Sequence, residues 1–227
     1  MPIVEPTDIE LVESAAGTYL PDAVPFCDVL GSSIVLFTTA RDDGLVTIAV
    51  EGSHNIPDWA IDFCSLVAEP RHGLNHPDLG FVHAAFYASA ALALPKILPL
   101  AEKGPVAITG HSLGAVAALM LGAMLTVRNL PPVKVGAFAP PRGGGAQFVR
   151  IATSVPFCAY KYGQDPVPDV PLSLPPLFPY QQVPLIGLLA PAVDPLDLQR
   201  RLQCHKIGNY VAGVRAYQSA VAASPTS

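Results

Sequence analysis

The chain has 227 residues, enough for one large domain and short for two. Hydrophobic residues make up 51% and charged residues 14%, with a formal net charge of −5; this excludes a disordered chain and, with no basic run, a nucleic-acid-binding surface. Mean hydropathy is +0.41, yet no apolar run reaches the ~18 residues of a membrane span, so the apolar surface is either buried or shown to something greasy.

The opening "MPIVEPTDIELVES" is acidic and has no basic stretch leading into an apolar one, so no secretory leader is visible and the compartment stays open. Thr7 with Glu10 reads as a capping box that starts a helix to about Thr18. "SIVLFTT" (33–39) and "LVTIAVEG" (45–52) are β-rich runs around the polar turn "ARDDG", which predicts a strand pair. "IPDWAIDF" (56–63) places apolar residues on one face of a short helix, and "GLNHPDLG" (73–80) reads as a loop. A mainly helical segment follows over 81–103, with Pro95 ending or kinking it. Next come a short buried strand over 105–109, a helix over 113–129, and strands over 133–139 and 155–163. The Pro-rich apolar stretch 165–195 is long for a loop, and such loops are usually functional or mobile. Alternating strands and helices predict an α/β chain with a mostly parallel central sheet covered by helices, and a single domain over 1–227. Cys27, Cys64, Cys158 and Cys204 are scattered without CxxC spacing, which argues against zinc; reduced thiols are the default, with a disulfide left open.

Strand 105–109 meets helix 113–129 at Gly110-His-Ser-Leu-Gly114. A sharp strand-to-helix turn strains its central residue, and small neighbours two positions away prevent clashes. The hydroxyl of Ser112 is then held above the sheet, and the N–H of Leu113 faces a developing oxyanion. A serine needs a histidine base and an acid that orients it, in the chain order serine, acid, histidine. Of the six histidines only His205 follows Ser112. The acids between them are Asp165, Asp169, Asp194 and Asp197, and no Glu intervenes. Asp194 before Pro195 reads as a helix N-cap, and Asp197 as a first-turn charge. Asp165 lies just beyond the strand ending at Gly163, where catalytic residues gather in open α/β sheets; Asp169 is the reserve. Ser53, after Gly52 at a strand end, suits a second oxyanion donor or a plain turn. His72, His76 and Asp78 stand where Gly73 and Pro77 disfavour a helix, so a surface loop is preferred over a metal site.

These segments, with their neighbours, resemble the class 3 lipases, the fungal-type lipases with an α/β-hydrolase fold. "AITGHSLGAVAAL" is similar to the family's elbow, "FVHAAF" to the start of the preceding helix, and "GAFAPPRGG" to the strand after the elbow helix. "YGQDPVPDV" resembles the acid loop, with Asp165 in the acid's place, and "CHKIGNY" the segment carrying the histidine. "VEGSHNIPDWAIDF" resembles the oxyanion strand and lid, with Ser53 at the oxyanion position and Trp59 where a lid tryptophan is typical. Departures are Ala115 where the family usually has Gly, Glu51 where Arg is common, and a compact length.

The resemblance implies a lipase or carboxylic ester hydrolase working on acylglycerol-type esters. Ser112, His205 and Asp165 would form the triad, with Ser53 and Leu113 in the oxyanion hole and no metal or organic cofactor. It favours a lid over 55–63 whose Ile56, Trp59, Ile61 and Phe63 meet substrate or a lipid–water interface, against an ordinary surface helix. The stretch "LPPLFPYQQVPLIGLLAP" is either a second apolar contact or a Pro-stiffened wall. Rival readings are a short-chain or aromatic-acid esterase, a phospholipase A, and a catalytically silent binder of hydrophobic ligands or membranes.

Overall fold

A computed structural model of the chain describes residues 3–28, 34–52 and 73–223. The first helix, α1 (Asp8–Gly17), starts as its capping box predicts: Glu10 N–H donates to Thr7 Oγ1 at 3.2 Å, and Thr7 N–H to the Glu10 carboxylate at 2.6 Å. Strands β1 (Cys27–Asp28), β2 (Val35–Ala40) and β3 (Val46–Val50) follow, each antiparallel to the next. The turn between β2 and β3 closes by Arg41 N–H on Leu45 O and Gly44 N–H on Arg41 O.

The segment 73–80 is not a loop throughout. Strands β4 (Gly73–His76) and β5 (Gly80–His83) form a separate antiparallel hairpin, whose turn is tied by the Asp78 and Leu79 N–H groups donating to His76 Nδ1. The strands are too short for a pattern of their own; pairing with each other stabilises them. Helix α2 (Ala84–Lys103) runs through Pro95 and Pro99 rather than ending at the first. Both prolines are exposed, so the carbonyls they leave unbonded face water, while Phe86, Ala90, Ala93, Leu94 and Ile97 anchor the opposite face in the core. Among the described helices α2 alone is long and apolar enough to cross a membrane, a length the unbroken apolar runs of the sequence do not reach. Its anchored face is that of a core helix.

Strand β6 (Val106–His111), helix α3 (Leu113–Thr126) and strand β7 (Lys134–Phe138) come next. Helix α4 (Ala146–Ala152), strand β8 (Phe157–Tyr162), strand β9 (Ile186–Leu188) and helices α5 (Leu198–Gln203) and α6 (Ile207–Ala223) complete the described chain. Among the described residues seven strands form one sheet in the order β1-β2-β3-β6-β7-β8-β9, parallel from β3 onward. One face packs Leu11, Val12, Phe138, Tyr160, Tyr210 and Val214 under α1 and α6; the other packs β-strand residues such as Ile48 and Ile108 under α2 and α3. Residues 113–125 of α3 are all buried, as an all-round apolar helix requires.

The Pro-rich stretch is shorter as a loop than predicted, because a 3-10 turn (Val167–Asp169) and β9 lie within it. It is also pinned. The Arg142 guanidinium donates to the Asp169 and Pro171 carbonyls, and the Gln182 amide to Pro140 O at 2.8 Å and Pro168 O at 2.7 Å. One side is thus a wall, while Leu172, Leu174 and Leu177 point outward to solvent.

Candidate active site

Strand β6 is buried along its whole length, and its carboxyl end delivers the chain to Ser112. Ser112 takes φ 60° and ψ −124°, a strained conformation for a residue with a Cβ. Its N–H donates to Phe138 O at 2.9 Å, tying the turn to β7. The flanking glycines are needed for close approach. A Cβ at Gly110 would sit 2.3 Å from Gly114 O, and one at Gly114 would sit 2.1 Å from Val50 O. Leu113 opens α3, so its N–H belongs to the first turn, where helix N–H groups have no intrahelical acceptor.

Asp165 sits beyond β8 on a turn made at Gly163, φ 49°, whose N–H donates to Leu188 O. A Cβ at Gly163 would lie 2.5 Å from the Ala190 Cβ. His205 sits in the short connection between α5 and α6, and Arg201 of α5 donates from Nε to Gln164 O, docking that helix on the acid-bearing loop. Three segments remote in the chain therefore converge at one rim of the sheet. His205 Nε2 lies 2.8 Å from Ser112 Oγ, and His205 Nδ1 lies 2.7 Å from Asp165 Oδ2. A carboxylate only accepts, so Nδ1 carries the proton and Nε2 is left to accept from the serine hydroxyl. All three residues are 0% exposed.

The other predicted acids have different partners. Asp169 pairs with Lys161 Nζ at 2.7 Å and faces Arg201 at 3.7 Å. The N-cap of α5 is Asp197, not Asp194: Asp197 Oδ1 accepts Arg200 N–H at 2.9 Å. Asp194 instead starts a turn, its Oδ1 accepting Leu196 N–H and its carbonyl accepting Asp197 N–H. Pro195 follows it in that turn and does not open the helix. Ser53, Ile56, Trp59, Ile61 and Phe63, with His72, lie outside the described residues.

Two side chains at the site escaped the sequence reading. Tyr210 OH donates to Asp165 Oδ2 at 2.5 Å, and accepts the Tyr162 N–H at 3.1 Å. His111 is wholly buried, its ring 4.7 Å from that of His205, with Nδ1 3.2 Å from Tyr19 OH. Burial, then the neighbouring His205, hold His111 well below the ordinary histidine range. Burial, then the Asp165 charge, push Tyr210 well above the usual phenol range. Position 111 lies within the elbow motif, and Tyr210 closes the histidine-bearing segment "CHKIGNY"; those placements are the signals available for them, and neither points to a contact with the triad.

A strained serine at a strand-to-helix elbow, at the carboxyl rim of a mostly parallel sheet, defines the α/β-hydrolase fold. Within that fold the chain belongs to the class 3 lipase family, whose model, Lipase (class 3), matches residues 47–174. The secreted mono- and diacylglycerol lipase A of Penicillium cyclopium is 28% identical over 135 residues, covering 56% of this chain and 43% of the relative. Its counterpart from Penicillium camembertii matches to the same extent. The chain thus spans less than half the length of these curated relatives. Among solved structures, a mutant form of MDLA from Penicillium cyclopium superposes with a TM-score of 0.64 at 21% identity, covering 81% of this chain and 80% of that one. Lipase II from Rhizopus niveus does so with 0.61 at 21%, covering 79% of each. At such identity these structures establish the fold.

Proposed function

We propose that the chain is a lipid-ester hydrolase that works through Ser112, His205 and Asp165. The single observation that carries the reading is the pair of short contacts along one line, Ser112 Oγ to His205 Nε2 at 2.8 Å and His205 Nδ1 to Asp165 at 2.7 Å. Ser112 Oγ attacks the ester carbonyl while its proton passes to Nε2; the carbonyl π electrons move to oxygen, and the tetrahedral oxyanion is met by the Leu113 N–H. Imidazolium then gives that proton to the leaving alkoxide, and the acyl-enzyme forms. Water, deprotonated by the same nitrogen, releases the carboxylic acid and returns Ser112. Asp165 holds the imidazole in the Nδ1–H tautomer and balances its charge. Ser53 is our choice for the second oxyanion donor, and Ile56, Trp59, Ile61 and Phe63 for a lid. Complete burial of the triad supports a cover that must move to admit substrate. Membership of the class 3 lipases and the acylglycerol activity named for the Penicillium relatives support acylglycerol-type esters as substrates.

The test is hydrolysis of nitrophenyl esters of graded chain length, and of an emulsified acylglycerol, by wild type and Ser112→Ala. We expect wild-type turnover and a loss on the order of 10⁴ or more in the variant. Equal activity in the two, or none on any substrate in either, overturns the reading. A preference for the shortest esters, with no rise at the emulsion, makes the enzyme a soluble-ester esterase instead.

A further inference from the structure

We propose that Tyr210 is a positioning residue of this site: its hydroxyl fixes the carboxylate oxygen that holds His205, and so sets the aim of the imidazole at Ser112. The proposal rests on the triad reading above and extends it to a residue outside the triad.

The carboxylate of Asp165 is held at three points. Val167 N–H donates to Oδ1 at 2.9 Å, while Oδ2 accepts both His205 Nδ1–H at 2.7 Å and Tyr210 O–H at 2.5 Å. An ionised carboxylate oxygen has two lone pairs, so the two donors complement each other rather than compete. Without the phenol, one backbone bond and the imidazole itself would be left to orient the carboxylate. Rotation about its Cβ–Cγ bond would then swing His205 away from Ser112 Oγ.

The phenol is also well placed to act as a fixed strut. Its oxygen accepts the N–H of Tyr162, on β8, so its one proton is committed to Asp165. The ring is fully buried, edge-on to His111 at 5.5 Å and tilted against Tyr162 at 6.1 Å. Burial keeps the phenol protonated throughout the working range, so the donor is never lost. Tyr210 lies in the first turns of α6, close in the chain to His205, so one segment carries the base and the strut for its acid. Packing against this sheet face asks only for a ring, and phenylalanine would meet it. The hydroxyl serves the carboxylate.

The experiment compares wild type, Tyr210→Phe, Asp165→Asn, the double variant and Ser112→Ala on p-nitrophenyl butyrate. Active sites are counted by burst titration with a p-nitrophenyl alkylphosphonate. We expect Tyr210→Phe to lose about 10- to 100-fold in kcat per titrated site, with KM within about twofold. In the Asp165→Asn background the same change should add little further loss, because the strut then has no carboxylate to aim. A purely structural tyrosine would reduce the number of titratable sites and leave kcat per site alone. Wild-type kcat per site in Tyr210→Phe, or an equal loss in both backgrounds, overturns the proposal while Ser112→Ala stays inactive. Activity in Ser112→Ala instead brings down the triad reading itself. Should Tyr210→Phe yield no titratable enzyme, 3,5-difluorotyrosine at position 210 keeps the volume and alters only the donor. A changed kcat at constant KM then supports the role, and an unchanged kcat overturns it.

Discussion

At Ser112 the backbone stands in a region that side chains avoid, and the two glycines around it exist to permit that. A methyl at Gly114 would collide with the Val50 carbonyl, which is backbone and cannot step aside. Gly114→Ala should therefore destabilise the protein by about 3 kcal/mol, read from urea unfolding, and abolish the proposed ester hydrolysis. His111 gives a prediction in pH. Burial and the nearby His205 hold it neutral when folded, whereas in the unfolded chain it binds a proton below about pH 6.5. The unfolded state then carries more protons, so stability falls as pH falls through that window. Between about pH 6.5 and pH 5.5 the wild type should lose about 1 kcal/mol more than His111→Phe, measured by urea unfolding at both pH values. Parallel slopes for the two proteins would show that His111 is not the group responsible.

The elements are also tied to one another by a few part-buried polar contacts. Helix α1 is fastened to the sheet by Asp8, which faces Lys134 on β7 at 2.8 Å and accepts from Tyr160 OH on β8 at 2.5 Å. Burial raises the Asp8 carboxyl, but the bonds from Lys134 and Tyr160 outweigh it and hold the group below its ordinary value. That tie is present above the unfolded carboxylate range and is lost as the pH falls through the lowered folded value. Asp8→Asn should cost about 1–3 kcal/mol, with the loss largest near neutral pH. Elsewhere in the fold, Arg142 clamps the Pro-rich stretch through the Asp169 and Pro171 carbonyls. Arg142→Met should open the chain around Leu172–Leu177 to limited proteolysis while far-UV circular dichroism stays unchanged; resistance equal to wild type would mean that Gln182 suffices.

For the whole molecule, the two faces of one sheet are covered by helices drawn from both ends of the chain, α1 and α6 on one side and α2 and α3 on the other. We propose that 1–227 is one cooperative unit, and expect a single urea transition that coincides for tyrosine fluorescence and circular dichroism. Two separated transitions would divide it. At this scale the sequence was most legible where a pattern is local. The capping box of α1, the β2–β3 turn, the buried β6 and the apolar α3 could all be read from neighbours a few positions apart. The β4–β5 hairpin, the three-residue β9 and the unbroken α2 could not: the hairpin strands are too short to show a pattern, β9 depends on a remote partner, and α2 on which face meets water.

The same division runs through the candidate site. By itself the sequence determined the elbow, since strain at a serine demands glycine two positions away on either side, and it narrowed the candidate base to His205 because no other histidine follows Ser112. The choice among the acids was left to the tertiary structure, which brings Asp165 to His205 Nδ1 and turns Asp169 to Lys161. Tyr210 was decided by folding alone: a tyrosine on an amphipathic helix looks like any core residue until the packing of α6 against β8 aims its hydroxyl at a carboxylate. Local strain and chain order are properties of sequence, whereas a hydrogen bond between residues far apart in the chain exists only once the sheet has brought them within about 3 Å.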